Sequence, residues 1–139
     1  TERIALAAAL RSIQCYQKYK VHEALEAVGG KVKDGWMRIC KDTGVGIRIS
    51  GILPLIHFEF DYPEKLVYKT YFTQEMLKQG FLAATGVYAS LMHTDKIIDS
   101  YLEACRKVFH QIKVCHDRGI DLESQLSGPV CHSGFERLN

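Results

Sequence analysis

Apolar residues recur at intervals of three and four near both ends of this chain and alternate with polar ones in its middle, so helices should flank a small sheet. From Thr1 to about Tyr19, Ile4, Ala8, Leu10, Ile13 and Tyr16 fall at helical spacing within an alanine-rich stretch. A second helical pattern starts at Val21 and carries Leu25, Val28, Val32, Trp36, Ile39 and Cys40 on one face. Gly29-Gly30 interrupts it. An interior glycine costs about 1 kcal/mol relative to alanine, so the pair points to close packing or a kink.

Gly46–Gly51 alternates with period two, as a half-buried strand does, and Gly51 should open a turn. In Leu55–Phe60 the same alternation sets Ile56, Phe58 and Phe60 on one face and Leu55, His57 and Glu59 on the other. Asp61 as N-cap and Pro63 in the first turn predict a helix from there to Lys78, closed by Gly80. Phe81-Leu82 and Gly86–Ser90 are short strand candidates. Thr94 then caps a helix whose stripe runs through Ile97, Ile98, Tyr101, Leu102, Cys105, Val108, Phe109, Ile112 and Cys115. From Arg118-Gly119 to Asn139 the chain is polar and irregular, a tail expected to be poorly ordered without a partner surface. The implied class is α+β, a small antiparallel or mixed sheet covered by helices on one face. Residues 1–118 form the domain, with 1–20 as a connecting helix and 119–139 as a C-terminal tail.

At 139 residues the chain suits one domain, small for a cofactor enzyme with its own cleft. Eighteen basic residues scattered among 16 acidic ones give no basic stripe for nucleic acid. No apolar run approaches the roughly 20 residues that cross a bilayer. Five cysteines without a CxxC pair favour reduced thiols and a cytoplasmic setting. The chain opens on Thr1 and enters a helical pattern at once, which reads as a cut inside a longer protein.

Several residues bear reactive groups. His57 and Glu59 share a strand face and could act as an acid/base pair, although a solvated edge strand is the plainer reading. His93 beside the Thr94 cap could meet a substrate, but a structural turn is favoured. Cys115-His116 and Cys131-His132 could ligate zinc but lack the customary spacing. Gly29-Gly30-Lys31 lacks the frame of a phosphate loop. Lys31 and Lys78 sit among polar neighbours, unlike a nucleophilic lysine, which needs desolvation or a nearby charge to lower its pKa.

The run Tyr71–Leu82, with Ser90-Leu91-Met92-His93-Thr94-Asp95 after it, gives a helix ending at glycine, a short apolar strand and His-Thr-Asp opening a long helix. Together with Thr1–Ala5, Ser50-Gly51-Ile52 and Phe58–Asp61, this order resembles the C-terminal small domain of class III pyridoxal-phosphate (PLP) aminotransferases, the glutamate-1-semialdehyde aminomutase-like members above all. The resemblance implies the small domain of a fold-type I enzyme, in a homodimer whose large domain holds PLP as a Schiff base while the small domain closes one side of the substrate cleft. Carried over, it makes Thr85, Gly86, Val87 and Tyr88 the cleft-facing residues. It leaves no catalytic, cofactor-binding or metal residue here, so no PLP is expected on this fragment alone, and the catalytic lysine lies upstream. Thr85 stands where aminomutases carry a glutamate, which favours general amino-group transfer over the aminomutase reaction. The rival reading is a free-standing interaction module or pseudoenzyme that binds a protein through an exposed apolar face.

Overall fold

A computed structural model describes residues 3–134 of the chain. In order these form α1 (Arg3–Lys18), α2 (Val21–Thr43), β1 (Ile47–Ile52), β2 (Leu55–Phe60), α3 (Lys65–Lys78), β3 (Gly86–Tyr88) and α4 (Asp95–Asp117), followed by a single 3-10 turn at Glu123–Gln125. The strands make one antiparallel sheet in the order β1-β2-β3, so the fold is α+β. A two-residue turn at Leu53-Pro54 sets the β1–β2 register, pairing Ile52 with Leu55 and Ile47 with Phe60. Because strand side chains alternate, Ile56, Phe58 and Phe60 all point under the helices, while Leu55, His57 and Glu59 face solvent.

The core lies between that inner face of β2 and the helices α2, α3 and α4. Phe58 is at its centre, with the rings of Trp36, Phe60, Phe72 and Phe109 edge-on at 4.8, 5.3, 5.4 and 5.8 Å. This is the geometry that aromatic quadrupoles favour. Trp36 donates its indole N–H to the hydroxyl of Tyr101 at 3.2 Å, satisfying two polar groups where α2 crosses α4.

Helix α2 is continuous through Gly29-Gly30, and the first of these glycines is there for close packing: a Cβ at Gly29 would lie 1.8 Å from the Leu53 carbonyl oxygen. Four expectations change. Helix α3 begins at Lys65 and not near Asp61, because the Asp61 amide is bonded to the Gly46 carbonyl and its carboxylate pairs with Arg48 at 3.3 Å. Phe81-Leu82 is irregular, and the third strand stops at Tyr88. Strand β1 continues through Gly51 to Ile52, with Gly51 at φ +93° opposite Ile56. The tail through Gly134 is laid along α3: the Gln74 amide donates to Gln125 O at 3.1 Å and its oxygen accepts from Ser127 N at 2.7 Å, while the Thr70 hydroxyl accepts from Cys131 N. Leu122 enters the core beside them.

Helix α1 stands apart from this core. None of its described residues is buried, and Ile4, Leu6, Leu10 and Ile13 are all exposed.

Candidate functional site

Strand β3 is an edge strand with a cleft on each side. On the α4 side, segment 81–83, Gly86–Tyr88 and the first turns of α4 enclose an apolar cleft of about 290 Å³. Val32 of α2 and the Tyr101 ring form part of its wall, and Tyr101 meets Phe81 edge-on at 5.8 Å. Two of its lining side chains are open to solvent: Leu82 is 97% exposed and Tyr88 78%. His93 lines it too, its backbone N–H donating to Ser90 O at 3.0 Å so that the turn into α4 is fixed.

The second cleft, about 300 Å³, is the more polar of the two and lies beyond the point where β3 stops pairing with β2. His57, Glu59, Lys65, Lys69 and Thr85 line it, together with His132 of the tail. The last ladder bond before it runs from Phe58 N–H to the Thr85 carbonyl at 2.9 Å.

The four residues expected to face one cleft are therefore divided by the strand. Gly86, Val87 and Tyr88 line the apolar cleft, and Thr85 lines the polar one. His57 and Glu59 do not act on each other. The His57 Nε2 meets Ser50 Oγ at 2.9 Å across the β1–β2 pair, and Glu59 accepts from Lys65 at 3.3 Å. Lys31 is paired with Asp95 and Lys78 with Glu75, and neither lysine lines the apolar cleft. His116 Nδ1 lies 3.2 Å from the Tyr68 hydroxyl, and Cys131 Sγ lies 3.8 Å from Leu66 O, so the two Cys-His pairs are engaged separately. Among the described residues no group of three or more His, Cys, Asp or Glu is placed to hold a metal ion, and no helix is long and apolar enough to cross a membrane.

No protein-family model matches the chain. Over 120 residues it is 28% identical to the glutamate-1-semialdehyde 2,1-aminomutase of Desulfosudis oleivorans, an alignment covering 76% of this chain and 28% of that protein. Among solved structures it is similar to the FumI protein of Sphingopyxis sp. MTA144 in its PLP internal aldimine form, with TM-score 0.70 and 18% identity over 80% of this chain and 27% of that one. The chain therefore has the fold of part of that protein. It spans little more than a quarter of the length of these two proteins.

Apart from Val32, the residues lining the apolar cleft lie between positions 81 and 101. The sequence pattern missed Phe81, Leu82 and Ile97 as cleft residues. Ile97 is 46% exposed and sits one position off the buried line Ile98–Tyr101–Cys105–Val108–Ile112, and that offset is the signal that separates a cleft wall from the core. Further along α4, Cys105 is sealed beneath Tyr101 and Trp36, and burial pushes its thiol up to about 12. Such a thiol stays protonated at neutral pH and is no nucleophile.

Proposed function

We propose that this chain is the C-terminal small domain of a class III PLP-dependent aminotransferase, and that the β3 cleft closes one side of that enzyme's substrate site. The parent transfers an amino group between an amino compound and a keto or aldehyde acceptor, works as a cytoplasmic homodimer and carries PLP on a lysine of its large domain. The observation that supports this reading is that the apolar cleft is lined, Val32 apart, by residues of the 71–103 segment, where the resemblance to that family is densest.

The chain's own residues do not fit PLP. Its lysines in question are ion-paired at the surface, and a Schiff-base lysine requires the opposite, a desolvated amine. Catalysis is therefore assigned to the large domain, and the fragment alone is inactive. Thr85 lies apart from Gly86–Tyr88 and offers no carboxylate, in keeping with general amino transfer and not an aminomutase reaction.

The exposed face of α1 supports a second reading, a free-standing module that binds a protein through Ile4, Leu6, Leu10 and Ile13. Under the first reading the same face packs on the large domain. Two measurements separate these. The 139-residue chain incubated with PLP and an amine donor should show no amino transfer and no borohydride-fixed PLP, whereas the full-length parent should show both; activity from the chain alone would remove the claim that it is incomplete. A monodisperse monomer at every concentration in light scattering would take most of the force from the exposed-face argument for the interaction module.

A further inference from the structure

We infer that the polar cleft at the end of the β2–β3 ladder is an oxyanion site, taking one singly charged carboxylate of a small molecule on Lys69 and the Thr85 hydroxyl. Such a site is independent of the aminotransferase reading.

The charges around the cleft leave one cation over. Lys65 and Lys69 are four residues apart on α3, so they share a helix face, and both line the cleft. Among the described residues Glu59 is the sole carboxylate lining it, and Lys65 occupies that carboxylate at 3.3 Å. Lys69 has no partner for its ammonium among the described residues. Like charges one helical turn apart repel, and an anion beside them removes that cost.

The side chains still uncommitted are donors. The Thr85 carbonyl accepts from Phe58 N–H at 2.9 Å, while its hydroxyl has no partner among the described residues. Past that bond the next β2 N–H on this side belongs to Phe60, where β3 has no residue to accept it. Carbonyls share the same open edge, so the sign of the ligand is set by the lysine. His57 is already engaged with Ser50. Phe58, Phe60 and Leu66 supply apolar wall, and a low-dielectric wall beside an unpaired charge focuses its field into the cleft. A carboxylate offers about four lone-pair sites to these donors. Its one charge matches the one surplus cation, whereas the second charge of a dianion would have to take Lys65 from Glu59.

The test titrates the 139-residue chain, labelled with nitrogen-15, with propionate, sulfate and methylammonium at constant ionic strength. Propionate should move the amides of Phe60, Lys69 and Thr85 along one saturating curve, with a Kd on the order of 1 mM. Sulfate should bind no more tightly, and methylammonium should leave those amides in place. Lys69→Gln should weaken propionate at least about tenfold, as expected for a hydrogen bond to a charged group, and Thr85→Val severalfold. Lys31→Gln, which removes a lysine paired outside the cleft, should change nothing. The dispersion of each variant's spectrum checks that it is folded. Wild-type affinity in Lys69→Gln, sulfate bound about tenfold more tightly than propionate, the same amides moved by methylammonium, or propionate shifts that are absent or spread without saturation over the surface lysines would each overturn the inference.

Discussion

Adjacent glycines in α2 illustrate how differently one residue type can be used. Gly29 faces the β1–β2 turn, where a methyl group would collide with the Leu53 backbone, while Gly30 has open space around its α-carbon. Gly29→Ala should therefore destabilise the domain by about 2–3 kcal/mol, since backbone cannot move aside as a flexible side chain does. Gly30→Ala should stabilise it by up to about 1 kcal/mol through helix propensity. Urea unfolding of the two variants checks both signs. The sequence alone establishes that a glycine pair in a helical pattern needs a reason, but which member supplies the reason depends on the turn at Leu53-Pro54, a contact 24 residues away in sequence. Asp61 shows the same limit. It has the chemistry of an N-cap, and its capture by Arg48 and Gly46 is a tertiary event that local pattern cannot anticipate.

At the scale of elements, the long helices and β2 were legible because each carries a repeating apolar face that only one period fits. Strand β3 was legible only as a short candidate that overran its end by two residues, and the anchoring of the tail was not legible at all. β3 is three residues long, too short for alternation to register, and the tail is held chiefly by polar bonds. Gln74 clamps it from both ends of one amide, a contact with no sequence signature. Gln74→Ala should leave the global unfolding midpoint nearly unchanged while the amide of Ser127 loses its hydrogen-exchange protection, as expected for a locally opening segment. Leu122→Ala is the complementary probe. Deleting a buried leucine side chain should cost about 2–4 kcal/mol and lower the midpoint of the whole domain. The cleft divides in the same way: Gly86–Tyr88 came from resemblance and the structure places these three together, whereas Thr85 is turned to the other side by the end of the β2–β3 ladder.

For the whole molecule, the buried acids that matter are thiol and phenol. Cys105 is raised by burial to about 12 and Tyr101 is raised well above its usual value, also by burial. Both stay protonated in the folded chain at pH values where the unfolded chain has begun to ionise. The unfolded state then holds fewer protons, so stability is intact below about pH 9 and falls as pH rises toward 12, each group adding a slope of up to about 1.4 kcal/mol per pH unit. Urea midpoints at pH 8 and pH 10.5 should differ accordingly, and Cys105→Ala should reduce the difference. An alkaline limb unchanged by that substitution would assign the loss elsewhere.

Tyr101 also joins the apolar cleft to the aromatic core. One side of its ring is cleft wall and its hydroxyl holds the indole of Trp36, the chain's single tryptophan. The domain thus has an optical reporter wired to its cleft through one hydrogen bond. A molecule settling against Tyr101 alters the surroundings of the indole without touching it, so occupancy can be followed by ultraviolet emission in the unlabelled protein, with no dye and no engineered probe.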